Sequence, residues 1–344
     1  MSFQDITFQG RVLRPRHAAV QPDFASETVL VSDPWDYVDL WLKRNHKEDA
    51  RAFWEQAREF ANAADILPVT SAPLPAYYCF LNATKALLNV RGVHSSSQHG
   101  VTGTSTKGMH SLDAEKIGFL SSGVLAGLCI ALGESTTAAT YSLKDALYNL
   151  PYIHRAYCLT FTSRPELFFP IRNTRFVRKP RSREAWFCAE LEARYNTKHT
   201  LGKLPTGWEE DSGAPTKGTI RLKKRFRWDG RRPNTAGNQR RLRQYHQRVR
   251  VDICYIFGPS RLWYVKRAKI GASWLSRSPL TLTFAIMHRL SELSRYDPLA
   301  LRRHSERHHN WLLSEFVRVA PRQFIDEVAS EITGSDFMLP GIRR

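Results

Sequence analysis

The sequence predicts an α+β protein in which a mostly helical body, formed by the N- and C-terminal segments, carries a β-rich basic insertion. Apolar residues recur at helical spacing in both outer segments, whereas in the middle of the chain they alternate with the period of two that is typical of strands. The middle is also basic: positions 164–250 hold 23 Lys and Arg against 8 Asp and Glu, which is +15 of the formal net charge of +19. A length of 344 residues is consistent with two domains, or with one large domain and an insertion.

These changes of pattern divide the chain into four segments. We expect an extended lead-in at 1–30, a helical N-terminal part at 31–158 and the β-rich basic insertion at 159–267. A C-terminal helical part at 268–344 is expected to pack on the N-terminal helices.

The C-terminal part is expected to contain three successive helices. Ser278 suits the cap of the first helix, Pro279 its first position and Pro298 the position just beyond its end. Because proline breaks a helix interior, Pro321 is expected to open the third helix, and Gly334 to follow its end. The expected core includes Phe284, Leu290, Leu293, Trp311, Phe316 and Phe324.

The insertion is expected to consist of strands joined by polar loops. A strand is expected to begin at Leu159–Phe161, and a basic helix is expected at about 236–249. The remaining expected strands are Glu166–Ile171, Trp186–Leu191, Thr219–Trp228 and, folded into a hairpin around 257–260, Val251–Val265.

Composition narrows the class of protein. No apolar run is long enough to span a bilayer and no signal pattern opens the chain, so we expect a soluble, cytoplasmic protein without membrane contact. Five widely spaced cysteines form no C-x-x-C pair, which favours buried thiols over a disulfide framework or a metal site. We therefore expect no metal and no other cofactor. The sequence is compatible with a homo-oligomer but does not give the oligomeric state.

A loop at 93–113 is rich in Ser, Thr, Gly and His. Its backbone N–H groups suit a phosphate, but it lacks the G-K-[ST] order of a Walker A loop. A functional loop and a flexible connection both remain open.

An ordered set of short motifs resembles bacterial YaaC-like proteins over roughly residues 54–334. The motifs are E-Q-A at Glu55–Ala57, S-A-P-L at Ser71–Leu74, K-A-L-L at Lys85–Leu88, H-G-V-T at His99–Thr102, S-E-L-S-R-Y-D-P at Ser291–Pro298 and N-W-L-L-S-E-F at Asn310–Phe316. The resemblance implies a family but carries over no catalytic residue.

The basic insertion predicts binding of nucleic acid, RNA or DNA. Strand alternation would place three cations on one face of 219–228 and Lys224, Phe226 and Trp228 on the other, to pack inward or to stack on bases. A concentrated basic segment attracts polyanions by releasing their counterions. The predicted nucleic-acid-binding residues are Lys223, Arg225, Arg227, Arg240, Arg241 and Arg243.

Two alternatives stay open. The helical part also resembles HEPN domains, helical bundles that are often ribonucleases and whose signature is Arg, four to six residues, then His. Arg302 or Arg303 with His308 matches that spacing; the resemblance implies that arginine stabilises phosphate charge while histidine transfers a proton without a metal. The other alternative is a structural or protein-interaction module, so whether the protein is an enzyme is left open.

Overall fold

The computed structural model describes residues 3–106, 108–109, 111–269 and 271–340. The predicted α+β class is confirmed, since the described residues form eleven α-helices and fifteen short or medium strands. The helices are α1 (Trp35–Arg44), α2 (Glu48–Asp65), α3 (Pro73–Arg91), α4 (Val124–Leu132), α5 (Leu143–Tyr148), α6 (His154–Thr160), α7 (Lys198–Leu201), α8 (Ala236–Asp252), α9 (Pro279–Tyr296), α10 (Pro298–Ser305) and α11 (Asn310–Thr333).

The strands are mostly paired antiparallel. They are β1 (Gln4–Asp5), β2 (Thr7–Phe8), β3 (Arg11–Val12), β4 (Val29–Leu30), β5 (Val101–Ser105), β6 (Glu115–Phe119), β7 (Ala139–Ser142), β8 (Phe168–Arg178), β9 (Glu184–Leu191), β10 (Trp208–Glu210), β11 (Thr219–Leu222), β12 (Phe226–Arg227), β13 (Ile253–Ile256), β14 (Leu262–Lys266) and β15 (Phe337–Met338).

The chain divides into two compact units. The β-rich unit takes its described residues from 1–30, 167–270 and 334–344, and the helical unit consists of 31–166 and 271–333. The lead-in therefore belongs to the β-rich unit, where β1 pairs with β8. The strand expected at Leu159–Phe161 was wrong, because α6 occupies most of that stretch. Two apolar residues, Leu159 and Phe161, are too few to establish a period, and Tyr157 of the same helix is buried.

The β-rich unit is built on one antiparallel sheet. Its strand order is β10-β11-β9-β8-β14-β13, with β1 added beside β8 and β12 beside β9. The N-terminal segment is fastened to this sheet by two backbone hydrogen bonds of 2.9 Å, from Ile6 N to the Phe176 oxygen and from Phe176 N to the Leu13 oxygen. One face of the sheet packs on α8 through Leu242 and Tyr245.

Side chains of β9 alternate between the two faces of the sheet, as expected for a buried strand. Phe187 and Leu191 enter the core that includes α8. Trp186 and Cys188 point to the other face, where they cluster with Val177. The predicted strands at 186–191 and in the hairpin of β13 and β14 are confirmed.

The single strand expected at Thr219–Trp228 is wrong. It is interrupted at residues 223–225, so that β11 and β12 pair with different parts of β9. Other partners hold the backbone at the break: Lys223 N donates to the Gly207 oxygen at 2.7 Å, and the Lys224 oxygen accepts from the Tyr245 hydroxyl at 2.7 Å. The interruption cancels the strict alternation on which the predicted row of cations depended.

The helical unit is centred on α3, which contacts α2, α4, α9 and α11. A three-stranded sheet, β5-β6-β7, belongs to the same unit, and α9 lies against β5 and β6. The predicted start of α9 is confirmed, because the Ser278 side chain accepts a hydrogen bond from Thr281 N and Pro279 follows it.

The second and third helices predicted for the C-terminal part form a single helix, so the prediction of a helix start at Pro321 is wrong. Pro321 lies inside α11, which continues from Asn310 to Thr333. An internal proline costs about 3 kcal/mol, but the buried side chains of Phe316, Ala320 and Phe324 form one packed face across it. Five of the six predicted core residues are buried; Trp311 is the error, being 50% exposed in the first turn of α11.

The cysteines, the character of the helices and the extent of the loop at 93–113 also bear on function. None of the five cysteines forms a disulfide; four of them are buried, as expected, and Cys158 is half-buried. Among the helices of the described residues, none has the length and apolar character needed to cross a membrane. Within the loop at 93–113, Lys107 and His110 lie outside the described residues.

Candidate functional site

The most strongly charged part of the β-rich unit consists of three stretches, 179–184, 223–232 and 240–248, which we call the basic surface. Together these stretches contain thirteen Lys and Arg and only two carboxylates, Glu184 and Asp229. Its exposed cations are Lys179, Arg181, Arg183, Lys223, Lys224, Arg227, Arg231, Arg232, Arg240, Arg243 and Arg248.

Backbone pairing joins the three stretches. Arg227 of β12 lies opposite Glu184 of β9, and Trp228 N donates to the Arg183 oxygen at 2.8 Å. From α8, the Arg241 Nε donates to the Arg227 oxygen at 3.0 Å. The tip of the β8–β9 hairpin, the loop after β12 and the first turns of α8 are therefore contiguous.

The helix α8 presents a basic stripe to solvent because Leu242, Tyr245 and Val249 pack into the core on its opposite side. Leu242 and Val249 are fully buried, whereas Arg240, Arg243 and Arg248 are exposed. The spacing of three and then five residues keeps these cations on one side of the helix. In the described part of the chain, no carboxylate lies within ion-pair distance of any of the three.

The other predicted binding residues divide into two groups. Lys223 and Arg227 are exposed, as the prediction requires. Arg241 is half-buried, since its guanidinium also bonds to the Asn238 Oδ1 at 3.2 Å. Arg225 stacks on the Trp186 ring at 4.1 Å and pairs with Glu184 at 3.4 Å, so it is engaged within the protein.

The aromatic residues of this region pack inward. Trp228 is only 1% exposed, and Phe226 stacks on Tyr245 with 4.5 Å between ring centroids. The prediction that these rings either pack inward or stack on bases is therefore resolved in favour of packing. The basic surface offers guanidinium and ammonium groups, which suit phosphates rather than base faces.

The residues predicted for a ribonuclease lie at the end of α10 and just beyond it. Arg302 is exposed and pairs with Glu306 at 2.8 Å. Arg303 and His308 are exposed, and the His308 ring meets Phe161 edge to face at 5.8 Å between centroids. The buried histidines of this segment are instead His304 and His309, each 2% exposed.

Sequence reasoning missed a polar cluster in the helical unit, which we call the Glu115 network; four of its members are buried, Glu292 is half-buried and Ser105 is exposed. It comprises Ser105, Glu115, Arg289, Glu292, His304 and His309. Glu115 Oε2 accepts from Arg289 Nη2 at 2.6 Å and from Ser105 at 2.8 Å, while its Oε1 lies 3.1 Å from His304 Nε2. The series of polar contacts continues from His304 to His309, whose Nε2 lies 3.3 Å from His304 Nδ1.

The protonation of this network follows from burial and pairing. Burial alone would raise the pKa of Glu115, but hydrogen bonds from His304, Arg289 and Ser105 lower it to about 2. Burial, and then the proximity of His304, lowers the pKa of His309 to about 4. At neutral pH the network therefore contains a carboxylate ion and a neutral His309.

Glycine makes room for the network. On β5, a Cβ at Gly103 would lie 1.8 Å from Glu292 Oε2 and 2.5 Å from the Arg289 Cδ. No larger residue fits there without displacing the ion pair of Arg289 with Glu292, whose atoms lie 3.1 Å apart. The network is thus packed tightly against β5.

The H-G-V-T motif has a structural role at the start of β5. The His99 oxygen accepts from Leu125 N at 3.0 Å, and Gly100 adopts a φ of +77°. A Cβ at Gly100 would lie 2.8 Å from the Ser122 oxygen, so this close approach needs glycine. The His99 ring bonds to the Tyr77 hydroxyl, which fixes the loop to α3.

Comparison with known proteins identifies a family. The family model described as YaaC-like Protein matches residues 17–332. Neither a search of curated proteins nor a search of solved structures found a match.

Proposed function

The chain belongs to the YaaC-like family, and we propose that it binds nucleic acid through contacts between the basic surface and the phosphate backbone. Counterion release from the phosphates supplies most of the affinity in such a mode, and the affinity depends steeply on salt. The proposal covers RNA and DNA alike, because phosphate contacts carry no base information.

The observation that carries the proposal is the imbalance of charge on an exposed surface. Two of the thirteen cations, Arg183 and Arg225, pair with the two carboxylates of the basic surface, at 3.2 and 3.4 Å. Most of the other cations are exposed and have no acidic partner among the described residues. Keeping so many like charges together is unfavourable for a protein alone, and a polyanion relieves the repulsion.

The proposal is tested by fluorescence anisotropy with labelled 20-base-pair RNA and DNA duplexes between 50 and 200 mM KCl. We expect both duplexes to bind, and the affinity to fall by about 10³-fold or more over this range, as it does for six or more phosphate contacts. Absence of binding at 50 mM KCl would contradict the proposal and leave a structural or protein-interaction module.

A charge-matched pair of variants localises the contact. The combined substitutions Lys223→Gln, Lys224→Gln and Arg227→Gln remove three exposed cations of the basic surface. Lys198→Gln, Lys217→Gln and Lys269→Gln remove three exposed cations of the same unit that lie outside it. We expect the first variant to lower the slope of log affinity against log salt by up to about 3, and the second to leave it nearly unchanged.

A ribonuclease is the second proposal, with His308 as the proton-transfer residue and Arg303, assisted by Arg302, as its electrostatic partner. One observation favours it: His308 and Arg303 are both exposed, and Arg303 has no carboxylate within ion-pair distance in the described residues. A solvent-accessible histidine suits acid–base work, and a guanidinium without an acidic partner can hold a phosphate with two hydrogen bonds.

Incubation with RNA in the presence of a chelator tests this proposal. His308→Ala is expected to keep RNA binding and to lower the cleavage rate by about 10²–10⁴-fold, the usual range for a lost acid–base group. Equal cleavage by both proteins, or none by either, would remove the ribonuclease and leave the binding proposal intact.

A further inference from the structure

A cavity of about 320 Å³ lies within the β-rich unit. The N-terminal segment around β2 and β3 lines most of it, and Arg261, at the start of β14, contributes from the β13–β14 hairpin. Two aromatic rings, Phe8 and Phe24, form part of its wall. Four arginines also line the cavity: Arg11, Arg14, Arg16 and Arg261.

The arginines of this cavity outnumber the carboxylates that pair with them. Asp336 forms ion pairs with two of them, at 3.3 Å from Arg16 and 4.0 Å from Arg261. Glu27 pairs with Arg11 at 2.6 Å, on the solvent side. Arg14 donates to the Thr174 oxygen at 3.3 Å and has no carboxylate within ion-pair distance in the described residues. Four cations facing two anions leave an excess of about two positive charges.

The surroundings of Arg14 are consistent with an excess of positive charge in the cavity. Burial, followed by the charges of Arg261 and Arg175, lowers the pKa of Arg14. Asp5 counteracts this in part, but its carboxylate is held by Arg175 at 3.0 Å. The cavity wall is therefore a place where like charges approach one another.

Arg16 is the most firmly held of the arginines that line the cavity. Its residue is 7% exposed, and its guanidinium is fixed by the Asp23 oxygen at 2.8 Å and by Asp336. The positive charge of Arg16 is therefore fixed in position at the cavity wall.

We propose that this cavity binds a small organic phosphate monoester, with the phosphate among the arginines and the organic group against Phe8 and Phe24. A phosphate monoester carries about −1.5 to −2 charges at pH 7, which matches the excess of arginine better than a single carboxylate. Guanidinium forks bind phosphate oxygens in pairs. The volume lies at the lower end of the range for ligand sites, about 300–1,000 Å³, so the organic group is about the size of one ring.

This site is independent of the nucleic-acid proposal, because none of its lining residues belongs to the basic surface. Isothermal titration calorimetry with phenyl phosphate, inorganic phosphate and phenol separates the two parts of the ligand. We expect phenyl phosphate to bind most tightly, inorganic phosphate about tenfold or more weakly, and phenol not detectably. Equal affinity for phenyl phosphate and inorganic phosphate would overturn the role of the rings, and no heat from phenyl phosphate at millimolar concentration would overturn the site.

Variants distinguish the cavity from general attraction to a basic protein. Arg14→Met and Arg261→Met are each expected to weaken phenyl phosphate at least tenfold. Arg231→Met, an exposed cation of the basic surface, is expected to leave that affinity unchanged while weakening duplex binding. Arg261 is solvent-accessible, so its variant serves if Arg14→Met fails to fold. Equal loss of phenyl phosphate affinity in Arg231→Met and Arg261→Met would contradict a defined site.

Discussion

The Glu115 network and the basic surface use the same kinds of side chain in opposite ways. In the network, Arg289 and Glu115 are 6% and 2% exposed and bond directly to each other. On the basic surface, Arg240 and Arg243 are exposed and have no acidic partner in the described residues. The buried arginine is compensated inside the protein, whereas the exposed ones are left to interact with something outside it.

This contrast separates two contributions that composition cannot distinguish. Removing one member of a buried pair leaves the other charge without compensation, so the cost appears in folding stability. Removing one exposed cation costs little stability and appears in the affinity for a polyanion. Removing one charged side chain should therefore lower folding stability in the Glu115 network, but lower polyanion affinity on the basic surface.

The largest effect is expected for Glu115→Ala. Arg289 and His304 would lose their shared acceptor in the interior, and breaking a buried pair costs about 3–5 kcal/mol. Denaturant unfolding measures the loss. Asp113→Ala serves as the control, because Asp113 pairs with Lys144 at the surface with 51% of its side chain exposed, and should cost less than about 1 kcal/mol. Equal costs for the two variants would remove the distinction between the regions.

A smaller effect is expected in the pH dependence of stability. The pKa of His309 is lowered to about 4 in the folded protein, against about 6.5 in an unfolded chain. The unfolded state therefore binds the proton first, so the stabilisation is complete above pH 6.5 and is lost as the pH falls towards 4. Between pH 7 and 4.5 this amounts to about 2 kcal/mol.

The adjacent histidine offers a matched control. His309→Asn should reduce the difference in unfolding free energy between pH 7 and 4.5 by about that amount, whereas His308→Asn, at an exposed position, should leave the difference almost unchanged. If both variants keep the wild-type difference, His309 is not the buried neutral group that the structure indicates.

The smallest effect distinguishes two arginines of the basic surface. Arg225 is held by Glu184 and Trp186, so Arg225→Gln is expected to change the salt slope of duplex binding by well under 1. Arg243 is exposed, and Arg243→Gln is expected to lower the slope by about 0.9 if it contacts one phosphate. A reversed order would mean that Arg225 leaves Glu184 when the nucleic acid binds.

Local signals in the sequence were sufficient for much of the fold. The cap at Ser278 and the hairpin of β13 and β14 depend on a few neighbouring residues, and both were predicted. Pro321 was misread because a local rule was applied where long-range packing decides. The break at 223–225 was missed because its partners, Gly207 and Tyr245, lie on other elements.

The candidate sites show the same limit. The basic surface was visible in the sequence because its cations are close together along the chain, although the engagement of Arg225 was not. The Glu115 network was invisible, since Glu115 and His304 are 189 positions apart. Within the segment 302–309, spacing alone could not tell the buried His304 and His309 from the exposed His308.

The most direct test measures affinity and stability together in a variant carrying Arg240→Gln, Arg243→Gln and Arg248→Gln. We expect the salt slope of duplex binding to fall by up to about 3, while the free energy of unfolding changes by less than about 1 kcal/mol. An unchanged slope, or a large loss of stability with the slope intact, would contradict the claim that the exposed arginines of α8 bind a phosphate backbone.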